Sequence, residues 1–250
     1  MRNGSLETKD VEIILSRCID KLSKDERESF KDAIHLVPQW KMAHPIVFKY
    51  LNNMKTPLAK IAAQLQSSRQ DSINHCVKES SLPIRLALCV GAKVLLLSNF
   101  VVEYKIMNGS IGTVVDIVYE KKSGPRDEKA LPAYVTVYFP KSCIPHRDRL
   151  FSDKDGRYVS IPVVTEQCER SCCSITMIPL RVCVSITIHK SQGMTIGENE
   201  IFTKVVLYLP DSDSRIRTPG SELVGMSIKT LAVLKLVMSQ RICLYKIFKK

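Results

Sequence analysis

The sequence predicts an α/β fold interrupted by a small all-β insertion, and three observations point to it. Apolar residues recur at helical spacing between residues 10 and 52. From Leu82 to Ile178 the texture changes to short runs of β-branched and alternating residues parted by turn signals. After Pro179 longer helical and strand patterns return, so α/β sequence lies on both sides of the β segment.

Taken in order, Val11, Ile14, Leu15, Cys18, Ile19 and Leu22 form one stripe, which predicts an amphipathic helix over residues 10–22. Ser23 and Glu26 have the spacing of a capping box, so a second helix starts there and runs towards Asp32. Ile34 to Val37 is a short apolar run ended by Pro38, a strand leading into a helix from about Lys41 to Asn52. Pro45 has no N–H to give and is expected in the first turn of that helix. From Thr56 to Ser81 glutamine, serine and asparagine are prominent, the composition of a connector or of a stretch that needs a partner to order it.

Ala92–Leu97, Ile111–Tyr119 and Ala133–Phe139 are strand candidates, with the Asn108-Gly109 turn before the second and the charged tip KKSGPRDEK after it. In the third, Tyr134, Thr136 and Tyr138 alternate with Val135, Val137 and Phe139, so one face is polar and the other apolar. Asp155-Gly156 marks a hairpin between Leu150-Phe151 and Tyr158–Ile161, and Ser174–Ile178 closes the series. Short strands at such intervals suggest a small barrel of SH3-like or OB type. Beyond it, Arg181 to His189 is expected to be helical and Val205–Leu209 a strand in the same sheet as Ile34–Val37. The tail, LAVLKLVMSQRICLYKIFKK, is either a final helix and strand or a basic amphipathic surface helix.

Lysine and arginine outnumber aspartate and glutamate by 37 to 25, a net charge of +12. That excess favours an anionic partner, nucleic acid before acidic membrane. At 6% aromatic residues, a surface built mainly on base stacking is disfavoured. The start, MRNGSLETKD, is too polar for a secretion signal, and Leu86–Val102 is interrupted by Lys93, Ser98 and Asn99, a poor membrane span. Nine cysteines, an odd number, suit reduced thiols in the cytoplasm or nucleus. Cys168, Cys172 and Cys173 cluster upstream of His189, but no second cysteine pair completes a zinc pattern. They read instead as small buried or edge residues.

The stretch ITIHKSQGMT carries the densest polar chemistry. Lys190 can pair with a phosphate, Ser191 and Gln192 can bond a phosphate, sugar or base edge, and Gly193 lets a backbone approach closely. The same residues also read as a helix C-terminal cap, with Lys190 on the last carbonyls and Gly193 in a left-handed turn.

TIHKSQGMT resembles motif V of the Pif-type, RecD-like DNA helicases of superfamily one, which move 5′ to 3′. Gly91 to Ile117, GAKVLLLSNF…YKIMNGSIGTVVDI, resembles that family's Gly-Ala-x-Val-Met-Leu…Asn-Gly-x-x-Gly-x-Val stretch, and IHLVPQWKMAHPIVFKYL resembles its motif IV strand and helix. The three occur in family order, and the likeness runs over residues 30–232. It implies a partial RecA-like motor domain (2A) interrupted by an SH3-like β-barrel (2B). On that scheme residues 1–81 hold the first helices and the start of 2A, 82–179 the insertion, and 180–250 the rest of 2A. It further implies that His189, Lys190, Ser191, Gln192, Gly193 and Thr195 contact single-stranded DNA or couple it to ATP. Gln39, Trp40 and Lys41 fall where relatives place nucleotide-side contacts, although Trp40 reads as well as a core anchor. Asn108, Gly109 and Gly112 become the turn that shapes the β domain. Nuclear or mitochondrial work in DNA repair, recombination or telomere maintenance is the family's setting in eukaryotes, and the cytoplasm its setting elsewhere.

ATP and magnesium belong to the complete family enzyme, and the sequence supplies neither site. No G-x-x-x-x-G-K-[ST] stretch occurs, nor an apolar strand ending in paired acidic residues. The family's motif VI, Tyr-Val-Ala-Leu-Ser-Arg, is matched by Leu223 to Ser227 followed by Ile228 where the arginine belongs; Lys229 lacks the planar fork. A first RecA-like motor domain is therefore the expected partner for ATP hydrolysis, beside single-stranded DNA. The rival expectations are a decayed mobile-element copy and a stand-alone interaction module. Phosphate release by this chain is expected to stay at background with and without single-stranded DNA; DNA-stimulated turnover that co-purifies with the chain would contradict the assignment.

Overall fold

The computed structural model describes residues 16, 21–67, 77, 80–120, 130–149, 154–167, 173–187, 201–209 and 242–246. The chain divides into two compact units, residues 1–46 with 184–250, and residues 47–183. Two α-helices have their bounds among the described residues, α1 (Lys24–Glu28) and α2 (Trp40–Asn53). The strands are β1 (Ile34–Val37), β2 (Ala59–Ala62), β3 (Gln64–Ser67), β4 (Arg85–Leu88), β5 (Lys93–Leu96), β6 (Ile111–Val118) and β7 (Tyr134–Tyr138). They continue with β8 (Tyr158–Pro162), β9 (Val164–Gln167), β10 (Cys173–Met177), β11 (Leu180–Val182), β12 (Ser185–Thr187), β13 (Val205–Leu209) and β14 (Ile242–Lys246).

In the first unit the capping box forms as its spacing predicts. The Glu26 N–H donates to Ser23 Oγ at 3.2 Å, and the Ser23 N–H donates back to Glu26 Oε2 at 3.1 Å. The helix it starts is short, and the chain turns through Asp32 into β1. β1 lies inside a parallel sheet of order β12-β1-β13-β14. Ile34 pairs with Val205, and Val37 with Thr187. The expected union of Ile34–Val37 with Val205–Leu209 in one sheet is met. Strands in such a sheet are covered on both faces and read as continuous apolar runs, as Val205-Val206-Leu207 does. One face packs Val206 and Tyr208 against Leu22, Phe30 and Ala33. Lys204 Nζ sits 5.0 Å from the Phe30 ring centre, a cation–π contact at the sheet's margin. The tail contributes β14, paired in parallel with β13, so of its two readings the one that includes a strand holds for residues 242–246.

Three expectations are corrected here. Arg181 to Thr187 is not helical: Leu180–Val182 and Ser185–Thr187 are strands. The β-branched run Val182, Val184, Ile186, Thr187 is stiff at χ1, and β12 is buried along its length beside β1. Pro45 lies in the second turn of α2, not the first, where it cannot donate to the Lys41 carbonyl. The stretch from Thr56 holds two strands where a connector was expected. Ala59 and Ile61 alternate with exposed Lys60 in β2, and their partners Leu88 and Leu86 are distant in sequence. The first helix, residues 10–22, lies outside the described residues apart from Ser16, Lys21 and Leu22.

The second unit is antiparallel throughout its described ladders. Five strands form a sheet of order β11-β5-β6-β7-β8; β3-β10-β9 and β2-β4 form two smaller ladders. The end strands β11 and β8 do not pair with each other among the described residues, so the large sheet is open there. The expected strands at 92–97, 111–119, 133–139, 158–161 and 174–178 all appear within one or two residues. Val94, Leu96, Val114, Val135, Val137 and Ile161 are buried on one face of that sheet. Glu166 in β9 holds the segment before β4: its carboxylate accepts from Ser80 Oγ at 2.7 Å, Ser81 Oγ at 2.8 Å and the Ser81 N–H at 3.1 Å.

Two glycines in this unit are required for different reasons. Gly109 has φ +93°, a conformation that costs an L side chain strain, with open space around it. Gly112 lies in β6, where a Cβ would come 2.4 Å from Val137 Cγ1 and 2.7 Å from the Tyr138 carbonyl oxygen. Gly112→Ala is expected to destabilise by about 1–3 kcal/mol through overpacking, lowering the melting temperature by about 2–4 °C per kcal/mol. Calorimetry of the two proteins checks it, and an unchanged melting temperature would contradict the contact.

Candidate nucleic-acid interface

Parallel pairing decides which functional residues can meet. Because β1 and β12 run the same way with Val37 opposite Thr187, both end at the same edge of the sheet. The chain leaves β1 there through Pro38 into Gln39, Trp40 and Lys41 at the start of α2; all three are exposed, Trp40 at 36%. It leaves β12 there towards His189. In open α/β sheets ligands bind outside the carboxyl ends of the strands. The helix-cap reading of HKSQG rested on a helix from Arg181, and the strand observed through Thr187 removes that basis.

His189, Lys190, Ser191, Gln192, Gly193 and Thr195 lie outside the described residues, as do Ser227, Ile228 and Lys229. Trp40, about a third exposed, is not a fully buried core anchor. Behind the edge, His35 Nδ1 lies 3.1 Å from the Tyr208 hydroxyl, joining β1 to β13 by their side chains as well as by the ladder. Neither residue stood out in the sequence, because only the register Leu36 to Leu207 brings them together. Asn108, Gly109 and Gly112 lie in the second unit. The Asn108 N–H donates to Asn99 Oδ1 at 3.0 Å and the Gly109 N–H to the Leu96 carbonyl at 2.9 Å, closing the β5–β6 connection.

The remaining chemistry is restrained. Among the described residues no three histidine, cysteine, aspartate or glutamate side chains gather in metal-binding range, and Cys168 and Cys172 lie outside those residues. Cys173 is buried in β10. Cys183, just before β12, is fully buried, and burial pushes its thiol far up, so it stays protonated at neutral pH and is no nucleophile. Burial also lowers the Arg181 guanidinium from its usual range. No helix among the described residues is long and apolar enough to cross a membrane.

An α/β sheet with Gln39, Trp40 and Lys41 at its carboxyl edge, and an antiparallel unit inserted in sequence between two of its strands, is the architecture observed. It is the fold of known helicase structures. The chain is similar to the Pif1 helicase from Candida albicans, with 18% identity, 96% of this chain and 53% of that one covered, and a TM-score of 0.58. It is similar also to a Pif1 helicase from Bacteroides in complex with ADP-AlF3 and single-stranded DNA, with 17% identity, 99% and 51% coverage and a TM-score of 0.51. At these identities the fold is what is shared, and the chain spans about half the length of the structures it matches. No protein-family model and no curated protein matches the chain.

Reactivity of Cys183 is a direct check on the burial described. Iodoacetamide at neutral pH, read by peptide mass spectrometry, is expected to label exposed Cys143 and to leave Cys183 and Cys89 unlabelled until denaturant is added. Labelling of Cys183 at the rate of Cys143 in the native protein would contradict it.

Proposed function

We propose that these residues belong to a DNA helicase motor of the Pif type, forming its second RecA-like domain with an SH3-like insertion. The turn from His189 to Thr195 binds single-stranded DNA at the carboxyl edge of the parallel sheet. The observation that supports this reading is the parallel register of β1 with β12, in which Thr187, two residues before His189, ends its strand at the edge where Gln39, Trp40 and Lys41 emerge. The net charge of +12 supplies the long-range attraction to a polyanion. In the likeness reported above, a structure of this fold holds single-stranded DNA.

Lys190 neutralises a backbone phosphate, Ser191 and Gln192 hydrogen-bond the strand, and Gly193 lets it come close. ATP and magnesium do not fit the residues in hand. No phosphate-binding loop is present, and Ile228 stands where an arginine would stabilise transferred charge. Hydrolysis is therefore assigned to a first RecA-like domain acting together with this part. Ile228 also favours a second reading, a copy that keeps the fold and DNA affinity but has lost coupling to ATP.

Fluorescence anisotropy of a labelled single-stranded oligonucleotide, titrated at several salt concentrations, tests the site. Affinity is expected to be micromolar or weaker and to fall with salt, with a slope of about −0.7 per phosphate contact. Lys190→Ala should flatten that slope by about one contact and weaken all sequences alike. Lys122→Ala, in the charged segment between β6 and β7, is the control and should cost less. Equal effects of the two changes would leave only diffuse electrostatics and overturn the site.

A further inference from the structure

The outer face of the large sheet in the second unit carries a pattern that the HKSQG turn does not use. Residues directly opposite one another share a face. Register therefore sets Lys93, Thr113, Tyr138 and Tyr158 in one row across β5, β6, β7 and β8. The next row holds Asp116, Thr136 and Ser160, and the one beyond it Val118, Tyr134 and Pro162. The opposite face of the same strands, with Val135, Val137, Val159 and Ile161, is buried. The outer face is half-open, and Tyr158 is 37% exposed.

The rings are held in place. Tyr138 and Tyr158 lie with centroids 5.2 Å apart and planes tilted by 59°. Arg157 Nη1 donates to the Tyr138 hydroxyl at 3.0 Å, which brings a guanidinium to the edge of the pair. Lys93 lies at the other end of the row, and Asp116 is the one carboxylate in these rows. Aromatic rings interleaved with hydroxyls and bounded by two cations match an unpaired nucleic-acid strand: bases stack on rings, and phosphates meet hydroxyls and cations. An acidic peptide would meet the cations but has nothing to stack, and a duplex keeps its base faces to itself.

We infer that the outer face of β6, β7 and β8, centred on Tyr138 and Tyr158, is a second contact for the single strand, one that stacks a base. The inference rests on the single-strand reading of the protein and adds to it a site whose energy is stacking and not charge.

The experiment uses the whole chain and a labelled oligo(dT), with a duplex of equal length as competitor. Tyr158→Leu, which removes the ring, is expected to weaken binding about fivefold to tenfold, the size of one lost stacked base, and to leave the salt slope unchanged. Tyr158→Phe keeps the ring and should bind as the parent does. The duplex should compete poorly. In the unaltered chain, photocrosslinking to an oligonucleotide containing 5-bromodeoxyuridine should give an adduct on the peptide holding Tyr158, a readout that stands even if the leucine variant folds poorly. Equal binding by the leucine and phenylalanine variants, or adducts confined to other peptides, would overturn the platform. A Lys190→Ala effect without a Tyr158 effect removes this inference alone. The reverse pattern removes the HKSQG assignment alone and keeps the platform, and loss of all binding removes both.

Discussion

The pairing of β1 with strands from the far end of the chain is the constraint on which the rest of the first unit depends. The His35 N–H donates to the Val184 carbonyl at 2.8 Å, and the Ile34 N–H to the Lys204 carbonyl at 3.1 Å. These bonds close a loop of well over a hundred residues, an entropic cost that grows only slowly with length. The offsetting gain is apolar burial. Ile34, Val37 and Val205 have no exposed surface at all, and Leu22, Phe30 and Ala33 cover Val206 on one face. A polar substitution at Ile34 would strike both neighbouring strands, because both bond to that one.

The same pairing sets the chemistry of the carboxyl edge. Strands that run the same way present their ends together, so two segments far apart in sequence open onto one place. An antiparallel partner would have ended at the opposite edge, away from Gln39, Trp40 and Lys41. Trp40, about a third exposed, lies at that edge between Gln39 and Lys41.

The second unit is built on a different principle. Its ladders are antiparallel, one face of the large sheet is buried, and alternation along β7 and β8 divides buried from half-exposed residues. Gly112 shows how tight the buried face is: a single methyl group would meet Val137 and the Tyr138 backbone. The β7–β8 ladder sets Tyr138 opposite Tyr158 on the other face.

Local patterns were legible in the sequence wherever the physics is local. The Ser23–Glu26 capping box, the Asn108-Gly109 turn and the alternation from Tyr134 to Phe139 depend on neighbours a few residues away, and the structure places them as read. The absence of a phosphate-binding loop and the isoleucine at position 228 are likewise properties of sequence alone. Tertiary structure decided the rest. Arg181 to Thr187 has a pattern that suits helix or buried strand, and the ladder with β1 selected the strand. The polar residues after Thr56 became strands only because Leu86, Leu88 and Ser174 were there to pair with them. The His35–Tyr208 contact and the Lys93–Thr113–Tyr138–Tyr158 row exist only through register, which no local window contains, because each residue's partner lies on another strand.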